Sequence, residues 1–217
     1  MPKQNYSPRP DGFDAAKVLG SFAKASAEPG VDVASYLVGF AELARFNDMM
    51  GTLFATMASD IREQIKILEA FRNSPQGEHY RTVESTIEYE EQEPHRLEPK
   101  AKQPSGSRTI LHLNRTLDFF RQFVSKMTVM ADEDKLSTVC QPAYKATLGK
   151  YHSWLLSKAA GIAISTLPTK IQLYERVSLY PYDETVELTA KMVETMDKTF
   201  SLIDDLFAKR SLQSLPF

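Results

Sequence analysis

Ionisable and amide side chains interrupt apolar helical stripes at three places in this chain. Met50, Leu53, Met57, Asp60, Gln64 and Leu68 recur at spacings of three or four, which puts Asp60 and Gln64 one turn apart at or beside a buried helix face. Leu148, His152, Leu155, Ala159 and Ile162 form a second stripe, broken by His152. Arg108, His112 and Arg115 share a third face, bordered by Leu111 and Phe119. A carboxylate on such a face is costly unless it is paired or hydrogen-bonded. Taken singly, these residues read as structural ion pairs that hold helices in register. Taken together, an aspartate, a glutamine, an arginine and two histidines from three helices would form one polar patch above an apolar interior, provided that the three faces converge. A few placed polar groups over a greasy wall is the pattern of a site for an amphiphile.

Covalent and metal chemistry are poorly served by the same residues. There is no G-x-S-x-G elbow, no H-E-x-x-H pair, no Walker loop and no cysteine beside a histidine. His79 and His95 fall in or near expected loops and show no ligand spacing with carboxylates, so they read as surface histidines, and no metal or cofactor is expected. His152 with Asp60 as base and orienter is the one enzymatic pairing the sequence offers, and it lacks a nucleophile.

Helices must position these groups. The spacing predicts a first helix from Phe13 to about Ala27, stopped by Pro29 and Gly30, a second from near Asp32 through Tyr36 and Phe40, and a long third from about Asp48 to Arg72. A helix from about Tyr80 to Glu91 follows the break at 73–77, and 92–107 reads as an exposed loop. Further helices are expected from Arg108 to Met130, from Leu136 to Ser165 with an interruption or kink near Pro142, from Thr169 to Val177, and from Glu184 to about Ala208. Almost nothing alternates with period two, so the fold class is all-α. Residues 1–12 are polar, carry prolines at 2, 8 and 10, and read as a flexible arm before a single domain over 13–217.

Bulk properties narrow the partners. A chain of 217 residues with net charge −2 has no single-sign field suited to nucleic acid. Cys140 is the one cysteine and reads as a small buried hydrophobe, consistent with a reducing, cytoplasmic compartment. The first residues have no apolar signal region, Pro2 excludes myristoylation, and no apolar run is long enough to span a bilayer. Any membrane contact is therefore expected to be transient and from the soluble side. Nothing points to an obligate oligomer.

Three stretches, FNDMMGTLFATMASDIREQIKILEAFR (46–72), SRTILHLNRTLDFF (107–120) and YKATLGKYHSWLLSKAAGIAISTLPTK (144–170), resemble the glycolipid transfer protein superfamily, and within it the ceramide-1-phosphate transfer protein branch. The similarity runs over about residues 13 to 215 in the same order. It implies a two-layer helical sandwich of about eight helices that parts to admit lipid chains, and a carrier that moves sphingolipids between membranes and is not an enzyme. Asp60 matches the aspartate that accepts a hydrogen bond from the ceramide amide, and His152 the histidine that bonds the acyl carbonyl. Arg108 matches a phosphate-binding arginine, whose guanidinium can fork onto a phosphate. Trp154 matches a tryptophan at the membrane interface. Leu43, Phe46, Phe54, Met57, Leu111, Leu148 and Leu155 are the expected lipid-chain wall, or ordinary core.

The chain also departs from that branch. Gln64 stands where a lysine is usual and is nearer to the asparagine of glycolipid carriers. His112 stands where a second arginine is usual, and where glycolipid carriers place a tryptophan for sugar stacking. Only Trp154 is present, so the sugar platform is missing. Ceramide-1-phosphate is the favoured cargo on these residues. A glycosphingolipid or sphingomyelin-type carrier, and a lipid sensor or adaptor using the same pocket, stay open at this point.

Overall fold

The computed structural model describes residues 6–27, 29–93, 97–98 and 105–215, apart from the side chains of Thr52 and Leu53. Nine α-helices lie among them: α1 (Ala15–Ala25), α2 (Val33–Met49), α3 (Thr52–Arg72), α4 (Val83–Glu91), α5 (Gly106–Thr128), α6 (Ser137–Ala146), α7 (Trp154–Ser165), α8 (Lys170–Val177) and α9 (Tyr182–Lys209). Local chemistry sets their starts. Asp14, Asp32, Ser105 and Ser153 cap α1, α2, α5 and α7, and Thr82 with Ser85 and Thr169 with Gln172 make reciprocal capping boxes on α4 and α8.

Packing closes a ring: α1 lies on α2, α2 on α3, α3 on α5, α5 on α9, and α9 on α1. The α1–α2 layer thus faces the α5 layer across an apolar interior, the two-layer all-α sandwich. Val18, Phe22, Tyr36, Phe40, Leu43, Leu113, Leu117, Phe120, Met196, Ile203 and Phe207 fill the interior from four of these helices. Cys140 is buried among them, and burial pushes its thiol up to about 12.

Three boundaries differ from the sequence expectation, each for a local reason. The helix expected from Asp48 is broken at Gly51, whose φ of +101 lies in the region favoured by glycine, so Met50 ends α2 and α3 begins afresh. The stretch 136–165 is interrupted later than Pro142, which sits within α6. It is interrupted at 147–153, where a short 3-10 turn (Leu148–Lys150) precedes the new Ser153 cap. Within the expected arm, residues 1–5 lie outside the described residues, whereas 6–12 are docked. Arg9 N–H donates to the Ser178 carbonyl at 2.8 Å, and the Tyr6 hydroxyl lies 3.1 Å from the Tyr180 carbonyl. His95 and most of the expected 92–107 loop also lie outside the described residues.

Candidate functional site

The start of α5 is fixed by a buried acid. Glu90 of α4 is fully buried and accepts from the backbone N–H of Gly106 at 2.7 Å and of Ser107 at 2.8 Å, occupying the positive end of the helix. Gly106 permits this approach, because a Cβ there would lie 2.8 Å from Tyr80 Cε1 and Thr86 Cγ2. Two residues on, Arg108 begins the face that also carries His112. The C-terminal end of α3 is tied to the same corner, where the Phe71 ring stacks on Tyr80 with centroids 4.6 Å apart. Helices α3 and α5 therefore run antiparallel, and Gln64 and Arg108 each lie one turn from the Asp60–His112 contact, on the same side of it.

That contact is the centre of the site. His112 Nε2 lies 2.7 Å from Asp60 Oδ2, and Gln64 Nε2 donates to Asp60 Oδ1 at 3.4 Å. Asp60 and His112 line a cleft of about 440 Å³ together with Thr56, Met57, Thr116, Leu148, Tyr151, His152, Ser153, Leu156, Ala159 and Ala160. His112 is nearly enclosed, whereas Asp60 keeps 40% of its side chain exposed. The cleft thus presents a carboxylate with spare lone pairs to anything entering it.

His152 reaches the same cleft from the other wall. Its Nδ1 lies 2.8 Å from the Tyr144 hydroxyl of α6. Burial pulls the His152 imidazole below the ordinary histidine range, and the nearby Asp60 charge opposes this only in part. A neutral ring that accepts from Tyr144 at Nδ1 carries its proton on Nε2, as a donor suited to a carbonyl. Tyr144 is a positioning residue that the sequence reading missed; its signal is an aromatic hydroxyl eight residues before the histidine, across a helix break. Tyr151, which also lines the cleft, was missed for the same reason.

The remaining residues divide. Arg108 is half-buried, and its buried Nε has no hydrogen-bond partner among the described residues. Arg62, near in sequence, is turned away and paired with Asp48. Arg115 leaves the site: it donates to the Gln213 and Leu215 carbonyls at 2.9 and 3.0 Å and lies over the Tyr151 ring. Among the expected wall residues, Met57 and Leu148 line the cleft. Leu43 and Phe46 line an interior chamber, with Phe13, Phe120, Val124, Met127 and Met192. Leu111 is buried beside a neighbouring pocket, and Phe54 packs on the core without lining the cleft or the chamber.

Leu155 does not line the cleft. It stands in solvent at 72% exposure, because the break at 147–153 resets the register of α7 and turns Leu156, Ala159 and Ala160 to the cleft in its place. Trp154, at 70%, and Ile162, at 62%, share its exposure, and Lys158 Nζ lies 3.9 Å over the Trp154 ring.

The chamber holds only about 30 Å³, room for roughly two waters. Its lining is nearly all apolar, so its walls must separate for a lipid chain to enter. Helix α5 links the two compartments. His112 lies at the cleft, and Met127, 15 residues later, lies at the chamber's end, about 22 Å along the axis. Among the described residues, no helix is long and apolar enough to cross a membrane, and no group of three or more His, Cys, Asp or Glu is placed to hold a metal.

The glycolipid transfer protein (GLTP) family model matches residues 31–179. A mouse relative, "Ceramide-1-phosphate transfer protein", is 30% identical over 210 residues, covering 94% of this chain and 97% of its own length. A zebrafish (Danio rerio) protein of the same name is 30% identical over 209 residues, covering 95% and 99%. The crystal structure of the human ceramide-1-phosphate transfer protein in complex with 2:0 ceramide-1-phosphate superposes with a TM-score of 0.87 at 29% identity, covering 94% of this chain and 100% of that one.

Proposed function

From the premise that this chain belongs to the glycolipid transfer protein family, we propose that it carries single sphingolipid molecules between membranes, with ceramide-1-phosphate as its cargo. The observation that carries this reading is the meeting of Asp60, His112 and His152 in one cleft, with Arg108 one turn from His112 on α5. Asp60 accepts the amide N–H of the ceramide while His152, held by Tyr144, donates from Nε2 to its acyl carbonyl. A diacylglycerol lipid lacks that amide donor and so forgoes the hydrogen bond to Asp60 that a ceramide makes. The Arg108 guanidinium takes the phosphate, and His112 joins the amide anchor to the headgroup side. The similarity to ceramide-1-phosphate transfer proteins supports the same cargo.

Uptake occurs at the membrane surface. One side of α7 lines the cleft with Leu156, Ala159 and Ala160, and the other offers Trp154, Leu155 and Ile162 to a bilayer interface. The protein works as a monomer in the cytoplasm, touches membranes transiently and performs no covalent chemistry. Intervesicle transfer by the Arg108→Leu variant tests the headgroup assignment. Loss of ceramide-1-phosphate transfer, with ceramide or hexosylceramide binding retained, is expected; an equal loss for all three removes the phosphate argument.

A further inference from the structure

Resting on that reading of the chamber as the lipid-chain site, we infer that the docked segment 6–13 is the chamber's floor and that Phe13, with Ser178 and Thr185, sets the longest acyl chain the protein accepts.

Position comes first. Helices α5 and α9 run antiparallel, since Asn114 Nδ2 reaches the Phe200 carbonyl and Arg121 pairs with Asp197. Thr185, at the start of α9, therefore lies toward the Val124–Met127 end of α5, the end remote from His112. Phe13, Tyr174, Ser178, Thr185 and Thr189 line the chamber there.

The floor is built differently from the walls. Side walls of Leu43, Phe46, Phe120, Val124 and Met192 are held by non-directional apolar packing, which can part and re-form around a chain. Behind Phe13 lies a closed set of hydrogen bonds. Ser178 Oγ and Thr185 Oγ1 are 2.6 Å apart, and Thr185 Oγ1 donates to the Pro181 or Tyr180 carbonyl at 2.9 or 3.0 Å. From outside, the Tyr6 hydroxyl lies within 3.1–3.3 Å of the Tyr180 carbonyl, the Tyr174 carbonyl and Thr185 Oγ1. Gly12 lets the segment lie flat on this corner, because a Cβ there would come within 2.7 Å of the 177–179 backbone. Pushing a methyl terminus through this layer would break the buried Ser178–Thr185 hydrogen bond and the part-buried bonds of Tyr6 and Thr185 around it, whereas the apolar wall side chains can shift against one another without breaking any. A chain therefore widens the chamber but does not lengthen it.

The test is a length series of ceramide-1-phosphates, with medium, long and very long N-acyl chains, transferred between phosphatidylcholine vesicles by the full chain. Phe13→Ala deepens the chamber, and its ratio of very-long-chain to long-chain transfer is expected to rise by about fourfold per methylene newly accommodated. Thr189→Leu fills the same end and is expected to move the profile toward shorter chains. Tyr6→Phe loosens the floor and shifts the profile in the same direction as Phe13→Ala, by less. Circular dichroism checks that each variant is folded, and the opposite-signed Thr189→Leu decides the matter if Phe13→Ala does not fold. Variants that scale transfer of every chain length equally would overturn the floor, while leaving the carrier reading intact. Failure of the parent protein to move any ceramide-1-phosphate would overturn the carrier reading and the floor with it.

Discussion

Helices α5 and α7 both deliver side chains to the cleft, yet they are built in opposite ways. The more polar sequence, α5, is buried along most of its length, with Leu113, Leu117 and Phe120 in the core and Glu90 capping its start. The more apolar sequence, α7, buries only Ala163 and Ile164 and leaves Trp154, Leu155 and Ile162 in solvent. Rigidity explains the first: α5 carries His112, held against Asp60, and Arg108 one turn before it. The second is an apolar surface that the fold itself does not use, beside the mouth of the site. Exposed patches of this kind mark contact surfaces rather than core.

The contrast is sharpest in stability. Phe120→Ala on α5 removes a ring that is 1% exposed and is expected to cost about 3–5 kcal/mol. Leu155→Ala on α7 is expected to stay within about 0.5 kcal/mol. Urea unfolding of the two variants checks this, and similar losses would erase the distinction between the helices.

Next comes the anchor that α5 shares with α3. Asp60→Val removes a charged hydrogen-bond acceptor, and transfer is expected to fall by about tenfold to a hundredfold. Asp60 is 40% exposed, so the melting temperature should move little. A variant that transfers at the parent rate would remove the amide anchor from the account. Trp154→Ala acts on the other helix and on another step. Co-sedimentation with vesicles should weaken while affinity for a short-chain, water-dispersed ceramide-1-phosphate holds. Unchanged co-sedimentation would mean that α7 does not face the membrane.

The smallest effect is expected from pH. Burial holds the His152 imidazole below its ordinary value of 6.5. Between the folded value and about 6.5 the unfolded chain binds a proton that the folded chain does not, so stability rises with pH across that window. The contribution is complete above about 6.5 and is lost as pH falls through the window. Denaturant titrations at a series of pH values should show this slope, and His152→Gln should flatten it.

Much of this was legible before the fold was known. Asp60, Gln64 and Leu68 kept their stripe because α3 runs unbroken through them, and Arg108 and His112 kept theirs because α5 does. The convergence of those stripes could only be assumed from spacing; it depends on α3 and α5 running antiparallel at the Tyr80–Gly106 corner. Leu155 was misplaced because a periodicity argument presumes one uninterrupted helix. The turn at 147–153, with no proline in it, rotates everything after it. Tyr144 escaped for the same reason, its distance from His152 being set by that turn. The docking of residues 6–12 was illegible because it rests on backbone hydrogen bonds, the Tyr6 side chain and the Arg45 guanidinium on the Asp11 and Gly12 carbonyls, which leave no hydrophobic period.

The most direct test of the central claim is transfer between vesicles of fluorescent ceramide-1-phosphate, galactosylceramide and sphingomyelin, measured side by side with the parent protein. Ceramide-1-phosphate is expected to move fastest, because His112 touches Asp60, Arg108 lies one turn before it, and no tryptophan stands at position 112 as a sugar platform. Faster movement of galactosylceramide would contradict it and would mean that Gln64, in place of a lysine, governs the choice of headgroup.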